Sequence, residues 1–162
     1  MFKRVIIPLD GSELAESILP FIIQIAGPLD IEVTLVRVLQ PVPPEVVEGV
    51  GRVMIDDVGQ RQAEAQTYLA DLATSIGTSG VRVRTDVRIG VPVREIVECV
   101  RERDADLVAM TTHGRSGLGR FLFGSVAEAV LRQAEVPVFL LRQTEKQARA
   151  ARATPPAQAV AR

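Results

Sequence analysis

Short runs of Val and Ile alternate with longer segments of helical periodicity along this chain, and no other feature limits the possible folds as strongly. The predicted strands are residues 3–8, 31–38, 81–89, 107–110 and 136–141. A strand–helix–strand repeat requires parallel strands joined by right-handed crossovers, with helices covering the faces of the sheet. We therefore predict an α/β fold with an open, doubly wound, five-stranded parallel sheet in the strand order 3-2-1-4-5.

The first two helices are predicted from apolar residues at helical spacing. Asp10 or Ser12 caps the first helix, and Pro20 lies inside its apolar stripe. Because the pattern continues beyond Pro20, we expect a kink there rather than an end of the helix. The predicted buried residues of these two helices are Leu14, Ile18, Phe21, Ile22 and Ile25, then Ile55, Val58, Leu69, Leu72 and Ile76.

Two local patterns lie between the second helix and the fourth strand. Residues 81–89 alternate apolar or Thr side chains with Arg and Asp, which is typical of a strand near the edge of a sheet. Pro92 then begins a helix that contains Cys99. We expect Cys99 to be a small buried side chain rather than a reactive thiol.

A glycine-rich segment, THGRSGLGRFLFGS at residues 112–125, joins the fourth strand to the last helix. Glycines let backbone N–H groups approach a ligand, and the unpaired N–H groups at a helix start attract anions. Arg115 and Arg120 add positive charge, while Ser125 and Glu128 have the spacing of a capping box. A solvent-facing flexible loop has the same composition, so both interpretations stay open.

The predicted strand order places any ligand beyond the carboxyl ends of strands one and four, where the order reverses. The loops there are residues 8–12 and 111–124. Asp10 repels a phosphate directly. It fits such a site if a divalent cation lies between them, or if Asp10 accepts a hydrogen bond from a sugar hydroxyl.

Composition narrows the classes of protein and of site. A chain of 162 residues forms one domain, and its net charge of −1 argues against a protein that binds nucleic acid through bulk charge. One Cys and one His supply too few ligands for a zinc site. The N-terminal apolar run is too short for a signal peptide and no segment approaches a membrane span, so we expect a cytoplasmic protein without a membrane partner.

Three blocks in this order resemble the universal stress protein family: VIIPLDGSELAESILP, RIGVPVREIVECVRERDADLVAMTTHGRSG and FLFGSVAEAVLRQAEVPVFLLR. The likeness covers residues 1–142 as one domain with a Rossmann-like sheet. Residues 143–162 contain few large apolar side chains and two adjacent prolines, so we expect a disordered tail.

The nucleotide-binding branch of that family is marked by Gly, two residues, Gly, nine residues, Gly and then Ser or Thr. Gly114, Gly124 and Ser125 match this motif, but Thr111 stands at the first glycine position. If the backbone there needs a positive φ, a β-branched residue is costly. If it does not, the Thr111 hydroxyl is available to donate to a phosphate.

The resemblance implies an ATP site, with Mg²⁺ held through Asp10. In it, Val38 gives backbone contacts to adenine, Met110 lines the base pocket, and His113 lies near the phosphates. A loop histidine bonded to backbone is an equal alternative for His113. The complete set of implied ATP-binding residues is Pro8, Asp10, Val38, Met110, Thr111, His113, Gly114, Gly124, Ser125 and Val126.

The function predicted from these features is that of a dimeric ATP-binding stress-survival or regulatory module. The alternative is a nucleotide-free, chaperone-like interaction protein of the same fold, which Thr111 favours. No nucleophile with a base is evident, so we expect no enzyme activity beyond slow, incidental hydrolysis. Residues 136–141 (VPVFLL) form an apolar edge strand, and the resemblance implies a homodimer through this strand.

Overall fold

Five parallel strands form one sheet in the order β3-β2-β1-β4-β5, which confirms the predicted fold class and strand order. The computed structural model describes residues 1–41, 53–113 and 124–143. The strands are β1 Arg4–Pro8, β2 Glu32–Leu39, β3 Val83–Ile89, β4 Leu107–His113 and β5 Val138–Gln143. Their bounds differ from the predicted ones by one to three residues. The predicted tail begins at Gln143, but this residue ends β5, and the rest of the tail lies outside the described residues.

The helices that connect these strands are α1 Glu13–Glu16, α2 Leu19–Ala26, α3 Val53–Gly77, α4 Pro92–Glu102 and α5 Ser125–Gln133. They enclose the sheet because successive residues of β1 point to opposite faces. Val5 and Ile7 pack with α2 and α3, whereas Ile6 packs with α4 and α5. Apolar cores therefore lie on both faces of the sheet.

The first helix was expected to be continuous through Pro20, and this prediction is wrong. Pro20 lies in the first turn of α2, because it lacks the N–H group that a helix continuing from α1 would need. Ser17 closes α1, its N–H donating to the Leu14 carbonyl at 3.2 Å and its hydroxyl donating to the same oxygen at 2.6 Å. The chain keeps right-handed helical dihedral angles at Ser17 and Ile18, so α1 and α2 are joined by one tight turn.

The buried face of these helices differs from the predicted one at two positions. Leu14, Ile18 and Ile22 are buried as predicted, but Phe21 and Ile25 are 41% and 44% exposed. Leu19 and Ala26 are buried in addition. In α3, Leu69 and Ile76 are buried and Leu72 packs against them, but Val58 is exposed. The prediction for Ile55 concerns a side chain outside the described part of the structure.

A network of charged side chains covers Cys99 where β3 packs on α4. Asp86 accepts hydrogen bonds at 3.2 Å from both Arg88 and Arg103, and Arg88 also bonds Glu102. Cys99 is fully buried beside this network, and its burial raises the pKa of the thiol to about 11. The prediction of a small buried cysteine on this helix is confirmed, and its lack of reactivity stays a prediction that the raised pKa favours. Strand β3 also lies at a sheet edge, as its alternating pattern predicts.

Leu69 and Leu131 provide a matched test of the core. Leu69 is fully buried between α3 and the sheet, whereas Leu131 on α5 is 44% exposed. We expect Leu69→Ala to lower the free energy of unfolding by about 2–5 kcal/mol and Leu131→Ala by less than about 1 kcal/mol. Urea unfolding followed by circular dichroism measures both values. Equal losses would contradict this packing.

Candidate functional site

A cavity of about 350 Å³ opens above the carboxyl ends of β1, β2 and β4, on the face covered by α4 and α5. This is the point between β1 and β4 where the strand order reverses. The residues that line it are Pro8, Leu9, Asp10, Ala15, Val36, Val38, Gln40, Pro92, Ile96, Met110, Thr111, Gly124, Ser125, Val126 and Ala127. The location is therefore the one that the strand order predicts.

Most of the predicted site residues lie together around this cavity. They are Pro8, Asp10, Val38, Met110, Thr111, Gly124, Ser125 and Val126. His113 ends β4, where its backbone pairs with Gln143, and its side chain lies outside what the structure describes. The prediction for Gly114 also falls outside the described residues.

Much of the apolar wall of this cavity was not predicted from the sequence. Val36, Ile96 and Ala127 are buried side chains that line the cavity, with Pro92 beside them. The period of two along β2 would have placed Val36 on the same face as Val38. The contribution of α4, in contrast, depends on how that helix packs on the sheet and has no local signal in the sequence.

The β1–α1 loop is held in place by three hydrogen bonds. Leu9 N–H donates to the Val36 carbonyl at 2.8 Å, which fixes the loop to β2. Asp10 Oδ1 accepts from the Ser12 N–H at 2.9 Å and from the Ser12 hydroxyl at 2.6 Å. Because both bonds to Asp10 end on Oδ1, the exposed Oδ2 is the carboxylate oxygen placed to meet a cation or a sugar hydroxyl.

The backbone at Thr111 is not strained. Thr111 pairs with Leu141 inside β4, and apart from glycines the described residues with a positive φ are Asp30 and Asp104. A β-branched residue is well suited to such a strand position. The Thr111 hydroxyl lies 3.4 Å from the Ser17 hydroxyl and 3.5 Å from the Ala15 carbonyl, so it makes weak contacts with the end of α1.

The capping-box prediction for Ser125 is wrong. Gly124 is the N-cap of α5, and its carbonyl accepts from the Glu128 N–H at 2.9 Å. Ser125 is therefore the first helical residue, one position too late for its hydroxyl to cap the N–H groups of this turn. The Glu128 carboxylate accepts from Arg132 instead, at 2.8 Å. The exposed Ser125 hydroxyl and the positive end of α5 both face the cavity.

Comparison with known proteins identifies the family. The profile of the universal stress protein family matches residues 1–142. The chain belongs to the universal stress protein family. The universal stress protein MJ0531 of Methanocaldococcus jannaschii is 34% identical over 150 residues, covering 91% of this chain and 86% of that protein.

Solved structures of universal stress proteins share the fold. The protein MJ0577 of the same organism superposes with a TM-score of 0.75 at 25% identity, covering 90% of this chain and 99% of that one. A universal stress protein in complex with cAMP has a TM-score of 0.63 at 20% identity, covering 88% of this chain and 98% of that one. The universal stress protein from Archaeoglobus fulgidus in complex with dAMP has a TM-score of 0.60 at 24% identity, covering 86% of this chain and 97% of that one.

Among the described residues, no helix has both the length and the apolar character needed to cross a membrane. Within the same residues, no three His, Cys, Asp or Glu side chains lie close enough together to hold a metal ion by themselves.

Two serines at helix starts give opposite predictions. The Ser12 hydroxyl caps α1 by accepting from the Ala15 N–H at 3.1 Å, whereas the Ser125 hydroxyl caps nothing. We expect Ser12→Ala to lower the free energy of unfolding by about 0.5–2 kcal/mol, and Ser125→Ala to leave it within about 0.5 kcal/mol. Urea denaturation checks both. A large loss of unfolding free energy in Ser125→Ala would instead support the predicted capping box.

Proposed function

We propose that this universal stress protein binds ATP, with Mg²⁺, in the cavity between β1 and β4. The observation that carries the proposal is the arrangement of three different surfaces around one space. An apolar wall from β2, β4 and α4 faces the start of α5, and the Asp10 carboxylate stands at the rim. Apolar wall, N–H donors and carboxylate suit the base, the phosphates and the ribose or cation of a nucleotide.

Different residues of the cavity contact different parts of the proposed ligand. Val38 and Met110 contact the adenine ring from the sheet, while Ile96 of α4 closes the far side. The phosphates lie against the first turn of α5, at Gly124, Ser125 and Val126, where the helix dipole and unpaired N–H groups favour negative charge. The complexes of other universal stress proteins with cAMP and dAMP support an adenine nucleotide in this fold.

The donors present fit Mg²⁺ as part of a nucleotide complex. Mg²⁺ is commonly bound by one or two carboxylates together with phosphate oxygens and water. Asp10 supplies one carboxylate at the cavity rim, and the Ser125 hydroxyl is a further oxygen on the opposite side. Such a cation would neutralise the repulsion between Asp10 and the phosphates.

We propose a regulatory or stress-survival role for the bound nucleotide rather than rapid turnover. The described residues that line the cavity include one carboxylate and two hydroxyls, and none of them is a His, Lys, Arg or Cys. The Asp10 oxygen that bonds Ser12 is already engaged in holding the loop. A cytoplasmic location, where ATP is plentiful, agrees with the free, buried Cys99.

Binding is tested by calorimetric titration with Mg-ATP and by quantifying nucleotide released from denatured, freshly purified protein. We expect one ATP per chain, and Asp10→Asn should weaken Mg-ATP binding about 10-fold because it removes the carboxylate charge. Asp71→Asn, which changes an exposed carboxylate on α3, is the control and should have no effect. Phosphate release should stay far below the roughly 10 s⁻¹ typical of enzymes.

Thr111→Gly separates this function from the nucleotide-free alternative. Because Thr111 is unstrained in β4, we expect both the wild type and the variant to bind ATP. Binding by the variant alone would mean that the Thr111 side chain closes the cavity, which favours an interaction protein that works without nucleotide. Binding by neither protein at millimolar Mg-ATP would reject the proposed function.

We further propose that two chains pair through β5. This strand bonds β4 on one side and ends the sheet on the other, so its outer N–H and C=O groups are available to a partner strand. Phe139 on β5 is also 44% exposed, so it offers apolar surface that a partner strand would cover. Antiparallel pairing of two β5 strands would extend the sheet across a two-fold axis.

Phe139 and Phe21 give a matched test of this dimer, since they are 44% and 41% exposed on different elements. We expect sedimentation velocity to show a dimer for the wild type at micromolar concentration. Phe139→Glu should shift it towards the monomer, because the two-fold axis brings like charges into one interface. Phe21→Glu on α2 should remain dimeric. The reverse pattern would place the interface on α2.

A further inference from the structure

A second cavity, of about 280 Å³, lies on the other face of the sheet between β2 and α3. The residues that line it are Gly11, Arg37, Leu39, Arg61, Glu64, Ala65 and Tyr68. Arg37 points to this side because it alternates with Val36 and Val38, which face the first cavity. The two cavities share no lining residue and are separated by the sheet and the β1–α1 loop.

Arg37 is the unusual feature of this cavity. Its Nη1 atom is buried and has no hydrogen-bond partner among the described residues. The guanidinium is held in place on two sides, by Gly11 and by the Tyr68 ring. A Cβ atom at Gly11 would lie 2.5 Å from Nη1, and the Tyr68 ring centre is 5.7 Å from the guanidinium carbon. Nη1 itself has almost no surface that a ligand could reach, so a ligand in the cavity would meet the part of the Arg37 side chain that lines it. Within the described part of the chain, the unpaired Nη1 leaves the positive charge of Arg37 without a hydrogen-bonded partner at that atom.

The described charged side chains that line this cavity are Arg37, Arg61 and Glu64, so the lining carries more positive than negative charge. Arg61 makes a long, 3.4 Å contact with the Gln40 carbonyl. Glu64 is exposed and accepts from the Gln60 amide at 2.8 Å. Tyr68 donates its hydroxyl to Glu16 at 3.0 Å, so it offers the cavity its ring. Burial and the nearby Glu16 raise the pKa of Tyr68, which therefore stays uncharged.

We propose that this second cavity binds a small oxyanion, a phosphate or carboxylate group held between Arg37 and Arg61. Guanidinium groups form their strongest hydrogen bonds with these two groups. The two guanidinium groups and the Tyr68 ring of the lining suit inorganic phosphate or a small carboxylic acid. The site is distinct from the proposed ATP cavity and does not depend on it.

The protein carries its own probe for this site. Tyr68 is the single tyrosine of the chain and there is no tryptophan, so intrinsic fluorescence reports the surroundings of Tyr68. The full chain is titrated with sodium phosphate, and separately with sodium succinate, at an ionic strength held constant with sodium chloride. We expect a saturable change in Tyr68 emission. Saturation by phosphate, by succinate or by both identifies the oxyanion.

Three variants locate the anion. Arg37→Met keeps much of the side-chain volume but removes the charge, and it should raise the Kd at least about 10-fold. Arg61→Gln, a change at a partly exposed residue, should raise the Kd several-fold and serves if Arg37→Met fails to fold. Arg94→Met is the control, because Arg94 is exposed on α4 and pairs with Glu98.

The proposal is overturned if neither anion gives a saturable change at millimolar concentration, or if Arg94→Met weakens the response as much as Arg37→Met does. In that case Arg37 has a purely structural role against the Tyr68 ring. Because the ligand is inorganic phosphate or succinate and the signal comes from Tyr68, the result is the same whether or not ATP binds in the other cavity.

Discussion

The reversal of strand order between β1 and β4 is the constraint on which the candidate sites depend. Right-handed crossovers send the chain from β1 towards β2 and β3 on one side and later bring it back to β4 and β5 on the other. The chain therefore continues from β1 and from β4 to strands on opposite sides of the sheet, and a crevice is expected above the carboxyl ends of these two strands. The apolar lining of the cavity found there follows from the fold itself.

The β1–α1 loop turns this opening into a defined site. Asp10 lines the cavity between β1 and β4, and Gly11, the next residue, lines the second cavity on the other face. Gly11 has a φ of +83°, and its missing side chain leaves room for the Arg37 guanidinium. Bonds from Leu9 to β2 and from Ser12 to Asp10 fix the same short segment. The four residues between β1 and α1 therefore contribute to the cavities on both faces of the sheet.

The sequence was sufficient for features that depend on burial pattern. Strand order, the edge position of β3 and the buried Cys99 all followed from periodicity and chain connectivity. The wrong predictions concern helix boundaries, which depend on backbone hydrogen bonds as well as on the hydrophobic pattern. Pro20 divides a helix that hydrophobic spacing alone would continue, and Phe21 and Ile25 after the break are exposed although their spacing predicted burial. Similarly, Gly124 takes the N-cap position that the spacing of Ser125 and Glu128 suggested for Ser125.

The candidate site was predictable in its location and in the polar residues of its two loops, but its walls were not. Ile96 and Pro92 lie on α4, far from those loops in sequence, and only the packing of that helix brings them to the cavity. Arg37 illustrates the same limit. A single Arg in a strand sequence gives no sign that its Nη1 atom is buried without a hydrogen-bond partner among the described residues.

Thr111 shows why a motif position must be judged by its backbone. A glycine at a motif position is required when φ is positive or when a ligand approaches the Cα atom. Thr111 does not meet the first condition, since it lies within β4, pairs with Leu141 and has no positive φ. Its side chain instead reaches the closing turn of α1, near Ala15 and Ser17. Compared with a glycine at this motif position, Thr111 therefore adds a contact between β4 and the end of α1, the helix that follows the Asp10 loop.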